Sequence, residues 1–292
     1  MIVKLTYAQI RAFNAVARNG SFQKAAESLS VTQPAITLQV RSLEDLYSVV
    51  LFMRTKGGAT LTKLGLDLFQ ITQSIHILET EVDELLSRQS EVLDGSIRLA
   101  AGSPQLIMPL IKRYKDKYPN VKLSLELGNY EEVSAALLQN RVDVALLDGL
   151  IDNERFFSQL YLQQELVLVV SKAHPFAKKQ SLHPDDMIYQ TILVRGDGSY
   201  TQKTMDEWFS RARIVPTSTL QLSSRDAIIE AAANGMGVGF VFDKEVGSDP
   251  RVQKVALSGR TTRCDESLVC MKSQYRRNTI KALYNLIPKQ SV

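Results

Sequence analysis

The sequence predicts a three-part chain of mixed helix and strand: a compact helical head with a β-hairpin, one long helix, and a two-lobed α/β region. Three observations lead to this prediction. Capping residues divide the start of the chain into three short helices. An uninterrupted a/d series of apolar residues then runs from Leu64 to Leu85. Beyond it, strand and helix patterns alternate almost to the C-terminus, as is typical of α/β folds.

The composition is that of a folded protein whose excess charge is confined to one end. The 292 residues are 45% hydrophobic and 23% charged, which fits two or three domains. Residues 1–62 hold seven Lys and Arg against three Asp and Glu, whereas the rest of the chain carries 28 of each. A basic N-terminal region favours a polyanionic partner, with a merely solvated basic surface as the alternative.

Nothing in the sequence indicates catalysis, a cofactor or a metal. Cys264 and Cys270 have neither a zinc nor a redox spacing, so we expect free thiols in a reducing cytoplasm. No secretory leader or membrane span is predicted. The glycine-rich segment 235–239 follows a helix and precedes a strand, the reverse of a phosphate-binding loop. The sequence contains no nucleophile elbow either.

Three capped helices form the predicted head. Thr6 and Gln9 make a capping box for the first helix, Ser21 caps the second, and Thr32 caps the third. The buried stripe of the third helix is predicted to consist of Ile36, Val40, Leu43 and Tyr47.

The opposite side of the third helix is suited to reading DNA. The second helix of a helix-turn-helix presents its N-terminal residues to base edges in the major groove. Gln33 matches adenine, the methyl groups of Thr37 and Leu38 match thymine, and Arg41 matches phosphate or guanine. The candidate DNA-binding residues of this helix are Gln33, Pro34, Thr37, Leu38 and Arg41. An ordinary three-helix bundle is the alternative.

Two short extended segments around a glycine turn predict a β-hairpin wing after the third helix. Arg54 and Lys56 would lie there near the phosphate backbone, and both join the DNA-binding candidates. The predicted DNA-binding domain therefore covers residues 1–62.

The long helix is predicted over residues 63–90. Its apolar residues form an a/d seam, which needs a second helix to cover it. A helix that lies on its own domain is the alternative. The candidate dimerisation residues are Leu64, Leu68, Ile71, Ile75, Leu78, Val82 and Leu85.

Residues 91–292 predict two α/β lobes. Lobe I covers about 91–163 and 266–292, and lobe II covers about 164–265, with right-handed βαβ crossovers in each. The predicted strands are 96–101, 121–127, 142–146, Glu165–Ser171, Thr191–Arg195, Thr219–Leu222, Val238–Phe242 and Ser267–Met271.

A cleft is expected where the carboxyl ends of these strands meet. Helices begin there at Ser103 and within Gly196–Thr201, and helix N-termini favour anions. Arg195 adds a positive charge, so we expect an anionic or zwitterionic effector. The alternatives are plain capping with Arg195 in a salt bridge, a neutral ligand, or a cleft used only for assembly. The candidate effector-binding residues are Gly102, Ser103, Gln105, Asp148, Arg195, Ser199, Thr201 and Gly237.

Five short motifs follow one another along the head and the start of the long helix: Ala25-Ala26 with Leu29, Gln33-Pro34-Ala35, Leu43-Glu44, Leu51-Phe52-x-Arg54 and Leu61-Thr62-x-x-Gly65. In combination they resemble the head of the LysR-type transcriptional regulators. The chain departs from that family at Tyr47-Ser48, where a Leu-Gly pair is usual. Leu38 stands where a basic or polar residue is common, which favours an A·T-leaning half-site.

The resemblance implies a winged helix-turn-helix, a dimerising linker helix and a periplasmic-binding-protein-like sensor with a small-molecule inducer. It also implies a dimer, and a tetramer through the sensors, on double-stranded DNA with a roughly palindromic operator. We expect a cytoplasmic, non-enzymatic regulator, with RNA polymerase as a further partner. The rival hypothesis is a solute-binding or enzymatic α/β protein with an unrelated helical N-terminus.

Overall fold

The structure is a computed structural model that describes residues 5–55, 58–86, 93–149, 154–258 and 263–288. The chain divides near residue 91 into two compact units. The N-terminal unit contains the head and the long helix, and the C-terminal unit is an α/β sensor. Each unit has a hydrophobic core of its own.

Three short helices form the head: α1 (Tyr7–Asn19), α2 (Phe22–Leu29) and α3 (Gln33–Tyr47). The predicted capping box of Thr6 and Gln9 is present at α1, and the Ser21 side chain caps α2. Thr32 occupies the N-cap position of α3, but its hydroxyl makes no capping hydrogen bond to that helix. The boundaries of all three helices therefore follow from local capping residues.

One member of the predicted buried stripe of α3 lies outside the head core. Ile36, Val40 and Leu43 are buried, but Tyr47 is 55% exposed because it is the last residue of the helix. The next residue, Ser48, adopts the left-handed conformation (φ 53°) that glycine usually supplies at this position. The departure at Tyr47-Ser48 thus leaves the helix end intact.

The wing is an antiparallel hairpin of β1 (Phe52–Thr55) and β2 (Gly58–Leu61). Gly58 lies so close to the head that an added Cβ would collide with the carbonyl oxygen of Gly20. The Glu44 carboxylate accepts a 2.7 Å hydrogen bond from the Leu51 N–H, which anchors the start of the wing to α3. At Gly65 a Cβ would collide with the Leu51 carbonyl oxygen. Close backbone packing therefore explains the glutamate and glycine of the motifs.

The long helix, α4 (Lys63–Leu86), begins at the predicted cap and packs against the head. Thr62 Oγ1 accepts a 3.0 Å hydrogen bond from the Gly65 N–H. Phe69 is buried in the head core. Thr72 exchanges two buried hydrogen bonds with Asn14, of 2.6 and 2.9 Å. The first half of α4 is therefore fixed to α1.

The sensor alternates strands and helices along most of its length. In chain order the sensor contains β3 (Ser96–Ala101), α5 (Pro104–Lys117), β4 (Lys122–Leu127), α6 (Tyr130–Leu138), β5 (Val144–Asp148), β6 (Phe156–Ser171), β7 (Ser181–Leu182), β8 (Thr191–Arg195), α7 (Tyr200–Ala212), β9 (Ser218–Leu222), α8 (Arg225–Ala233), β10 (Val238–Phe242), β11 (Val252–Leu257), β12 (Arg263–Met271) and α9 (Asn278–Tyr284).

Two long strands connect the lobes. The main strand order is β4-β3-β5-β12-β6-β10-β8-β9, and β3 pairs in parallel with both β4 and β5. The 16-residue β6 pairs with β12 over its first part and with β10 and β11 over its second part. The carboxyl ends of β3, β5 and β8 border the cleft between the lobes, which is where parallel sheets bind ligands.

The predicted α/β class with a winged head, a linker helix and a two-lobed sensor is confirmed. The sequence did not predict β7, β11, the first half of β6 or the start of β12. Among the residues described, none of the helices is both long and apolar enough to cross a lipid bilayer.

Candidate functional site

The candidate DNA-reading residues lie on one exposed side of α3. Gln33, Pro34, Leu38 and Arg41 are exposed, and Thr37 is half-buried. The Thr37 hydroxyl donates a 3.0 Å hydrogen bond to the Gln33 carbonyl oxygen. Its methyl group is therefore the part of the side chain that remains for contact with thymine.

The wing carries the other two DNA-binding candidates. The backbone of Arg54 pairs with Ala59 in the hairpin. The Arg54 side chain and the whole of Lys56 lie outside the described residues. The support for phosphate contacts by the wing is therefore the excess positive charge of residues 1–62.

The seam of α4 is largely uncovered within one chain. Four of its members are between 49% and 72% exposed: Leu64, Ile71, Leu78 and Val82. Leu68 and Ile75 are half-buried, and Leu68 packs partly against the head core. The Leu85 side chain lies outside the described residues. The helix thus buries one side against its own head and leaves most of the seam to solvent.

Arg195 is the last residue of β8, at the cleft. Its side chain is half-buried. Within the part of the chain that the structure describes, its Nε is buried without a hydrogen-bond partner, and no group forms an ion pair with the guanidinium. Burial and the neighbouring Arg225 lower the pKa of Arg195. Partial burial makes the charged form of Arg195 less stable, and a bound anion would offset this loss of solvation.

A cavity of about 560 Å³ adjoins this guanidinium. Its volume is in the range of small-molecule sites. The cavity receives Asn129 from lobe I and its remaining lining from lobe II, so a ligand there would contact both lobes. The lining residues include Asn129, Arg195, Gly196, Ser199, Gln221 and Ser223.

The two helix starts at the cleft differ in how their serines are used. Ser199 Oγ accepts a 3.3 Å hydrogen bond from the Gln202 N–H and so caps α7. Thr201 is buried in the first turn of the same helix. Ser103 occupies the N-cap of α5 without capping it, and its hydroxyl lies 3.2 Å from Gln105 Oε1. Helix capping therefore accounts for the hydroxyl of Ser199 but not for the hydroxyl of Ser103.

Arg225 joins the two lobes, and the sequence did not identify it. Its Nη1 donates a 3.2 Å hydrogen bond to the Gly102 carbonyl oxygen, and its Nη2 lies 2.5 Å from Glu245 Oε1. Glu245 is only 1% exposed. The sequence offered two signals: Arg225 stands at the start of a helix, and Glu245 follows a buried strand. Neither signal reveals a partner that is distant in sequence.

A cluster of acidic groups lies near the Arg225–Glu245 pair. Asp148 ends β5 and is the cross-strand partner of Glu266. Gln164 Nε2 donates a 2.8 Å hydrogen bond to Glu266. Burial, followed by the effect of Asp148, raises the pKa of Glu266 well above its usual range. Burial also raises the pKa of Glu245 to about 7, despite its contact with Arg225.

Gly237 lies apart from the other effector-binding candidates. It precedes β10 and lies beside Thr191, at the amino end of β8, whereas Arg195 is at the carboxyl end. A Cβ at this position would collide with the Thr191 carbonyl oxygen. Close packing of two strands therefore accounts for this glycine, which lies at the opposite end of β8 from Arg195.

Both cysteines are free and buried. Burial raises the pKa of the Cys270 thiol to about 12 and raises the pKa of the Cys264 thiol further. The thiolate is the reactive form of cysteine. Neither side chain therefore has the properties of a reactive thiol.

Comparisons with known proteins agree with this architecture. The LysR substrate binding domain matches residues 90–291, and the bacterial regulatory helix-turn-helix protein of the lysR family matches residues 7–66. The HTH-type transcriptional activator CmpR of Synechocystis sp. is 27% identical over 238 residues, covering 81% of this chain and 78% of that protein.

Two solved structures share the fold. Full-length OxyR from Pseudomonas aeruginosa, solved as a point variant, superposes with a TM-score of 0.83 at 20% identity, covering 97% of this chain and 95% of that one. The CcmR regulatory domain of Synechocystis PCC6803, solved in complex with 2-PG, has a TM-score of 0.61 at 20% identity and covers 66% and 96%. Since the two family models together span nearly the whole chain, this protein belongs to the LysR family of DNA-binding transcriptional regulators.

Proposed function

We propose that this regulator is controlled by a small oxyanion that binds in the sensor cleft beside Arg195. The half-buried guanidinium, unpaired within the described part of the chain, carries the proposal. Carboxylate, phosphate and sulfate oxygens form charge-assisted hydrogen bonds with arginine, often in pairs. The N-termini of α5 and α7, at Ser103 and Ser199, add backbone dipoles that favour the same charge.

The fold relationship to the CcmR regulatory domain gives this proposal a first probe. That domain was solved with 2-PG, and at 20% identity it shares only the fold with this chain. We use 2-PG, inorganic phosphate and sulfate as test compounds, because each offers several oxygens to a guanidinium. An effector that bridges Asn129 and Arg195 would change how the lobes close.

We further propose that two chains pair through the seam of α4 and place two α3 helices on one operator. The exposed Leu64, Ile71, Leu78 and Val82 support this pairing. Two-fold symmetry makes the operator roughly palindromic. Sensor contacts would extend the dimer to a tetramer, and RNA polymerase would be the partner at a promoter.

The same proposal assigns the protein no enzymatic role. Among the residues that the structure describes, the buried polar side chains near Arg225 include the ion-paired Glu245, the hydrogen-bonded Glu266 and the Cys264 thiol, whose pKa is raised by burial. This set does not have the character of a nucleophile with an adjacent base. We place the protein in the cytoplasm because a regulator of this family has to reach the chromosome.

The test uses the full-length protein and three chains: wild type, Arg195→Gln and Arg211→Gln. Arg211 is an exposed arginine on α7 and serves as the control. We expect at least one probe to raise the Tm of wild type and Arg211→Gln but not of Arg195→Gln. All three chains should bind duplex DNA equally well.

Two outcomes would contradict the effector proposal. An equal Tm shift in Arg195→Gln would place the anion elsewhere. No shift with any probe, in a protein that still binds DNA and assembles, would favour a cleft that serves only for assembly. Loss of DNA binding in Arg195→Gln alone would instead indicate that this variant is misfolded.

A further inference from the structure

A thiol and two carboxyl groups meet where β5, β12 and β6 pair. Asp148 lies directly opposite Glu266 across the β5–β12 pair. Cys264 precedes Glu266 by two residues on β12 and therefore shares its face. One ligand atom from each of the three residues lies within 4.8 Å of the other two. Residues 116 positions apart in the chain thus form one mixed oxygen and sulfur donor set.

The electrostatics of this cluster favour a cation. Like charges directly opposite each other in a sheet repel, and the repulsion is stronger away from water. Glu266 is 3% exposed and Asp148 is half-buried. Arg225, whose positive charge reaches Glu266, is already in contact with Glu245. The raised pKa of Glu266 means that a proton relieves this repulsion in the folded chain, and a divalent cation between the two carboxylates would replace that proton.

The spacing and chemistry of the donors select a class of metal. Cys264 Sγ lies 3.6 Å from Asp148 Oδ1. Tetrahedral zinc, with bonds of about 2.3 Å to sulfur and about 2.0 Å to oxygen, holds such atoms about 3.5 Å apart. A thiolate ligand favours zinc and similar transition metals over magnesium or calcium.

A fourth, neutral side chain is directed at the same cluster. Gln164 is 2% exposed, and its Nε2 donates to Glu266 Oε1 at 2.8 Å. Its own Oε1 is buried and accepts no hydrogen bond from any residue that the structure describes. A buried amide oxygen of this kind needs a donor or a cation, and a metal ion or a metal-bound water would supply either.

We propose that Asp148, Cys264 and Glu266 form a binding site for a divalent transition-metal ion of the zinc class, with Gln164 or water completing its coordination. Coordination would replace the thiol proton of Cys264 and the carboxyl proton of Glu266, and both protons leave to solvent as the two groups become thiolate and carboxylate ligands. Cys264, Glu266 and Gln164 lie on β12 and β6, which connect the lobes, and Asp148 lies at the end of β5. None of the four lines the cavity at Arg195, so Asp148, an effector-binding candidate from the sequence, is assigned here to the metal instead. The two proposals can therefore fail separately.

Cobalt provides the direct test, because a Co²⁺–thiolate bond absorbs in the near ultraviolet whereas Co²⁺ bound only by oxygen does not. Full-length protein is stripped with a chelator, dialysed and titrated with Co²⁺. Cys270→Ser is the matched control, since Cys270 is the other buried thiol of the same strand. We expect one Co²⁺ per chain, with the thiolate band, in wild type and Cys270→Ser. Cys264→Ser should lack the band.

A second variant keeps the test decisive if Cys264→Ser fails to fold, as judged by circular dichroism. Glu266→Gln preserves the thiol and should weaken Co²⁺ binding at least tenfold. Zinc retained after dialysis, measured by elemental analysis, should follow the same order. Absence of the thiolate band in folded wild type would overturn the proposal, and so would a band that persists in Cys264→Ser. An unchanged Co²⁺ affinity in Glu266→Gln would overturn it as well.

Discussion

The guanidinium of Arg225 lies 2.5 Å from the carboxylate of Glu245, a side chain that is almost completely buried. Burial outweighs the attraction of the arginine and raises the pKa of Glu245 from 4.5 to about 7. The folded sensor therefore holds a proton at pH values where the unfolded chain has released it.

This pair predicts a pH-dependent stability of lobe II. Between about pH 4.5 and pH 7, the free energy of unfolding should fall as the pH rises, because the folded state binds more protons than the unfolded state. Glu245→Gln should make the slope in that part of the profile shallower, and the remaining slope includes the contribution of Glu266, whose pKa is also raised. Urea unfolding followed by the fluorescence of Trp208, the single tryptophan, measures it. Glu230→Gln, which alters an exposed ion pair with Arg251, is the control and should leave the slope unchanged.

A second buried carboxylate should have the opposite pH dependence. Asp143 accepts hydrogen bonds from the Arg98 backbone and guanidinium at 2.8 Å, and Arg277 lies 3.2 Å away. Despite the opposing effect of burial, these arginines lower the pKa of Asp143. Its stabilising contribution is therefore present above pH 3.8 and is lost as the pH falls further.

Asp143→Ala should destabilise the protein by about 3–5 kcal/mol, because it leaves the buried Arg277 without its carboxylate. Thermal or urea unfolding followed by circular dichroism measures the loss. Asp116→Ala removes an exposed carboxylate that pairs with Lys112, and should change stability by less than about 0.5 kcal/mol. Similar losses in the two variants would contradict the assigned role of Asp143.

The seam of α4 gives a prediction about assembly. Ile71→Asp combined with Ile75→Asp should convert the proposed dimer to monomers, since two charges would enter an apolar interface. Light scattering coupled to size exclusion measures the mass. Gln70→Asp adds a charge at an exposed position off the seam of the same helix and should leave the mass unchanged. An unaltered mass in the double variant would exclude the seam as the interface.

The exposed face of α3 gives a prediction about sequence reading. Gln33→Ala and Thr37→Ala should each weaken binding to the DNA upstream of the protein's own gene by about 1–3 kcal/mol, with little effect on random duplex. Gln23→Ala, an exposed glutamine of α2, is the control. Fluorescence anisotropy at fixed salt compares the affinities. Equal losses on both DNAs would remove Gln33 and Thr37 from base reading.

Local signals were enough to predict most of the fold. Capping residues placed α1 and α2, and continuous apolar runs placed β8 and β10 with their observed ends. The first half of β6 was not predicted, because Ser158, Gln159, Gln163 and Gln164 break the apolar pattern typical of a buried strand. Gln164 is nevertheless buried, since it hydrogen-bonds to a carboxyl on the neighbouring strand.

The site was less predictable than the fold. Arg195 and Ser103 follow from helix and strand ends, which are local features. Arg225, Glu245 and Glu266 depend on contacts between segments that are distant in sequence. A single sequence does not reveal such pairings, because either member alone resembles an ordinary solvated charge.

Hydrogen bonds and an ion pair fix α4 to α1 at several points along the helix. Asn14 and Thr72 hold each other through both side chains, and Arg11 reaches Glu79 two turns further along. We therefore expect α4 and the head to rotate together as one body. A rotation of α4 about its own axis would then turn α3 in the major groove.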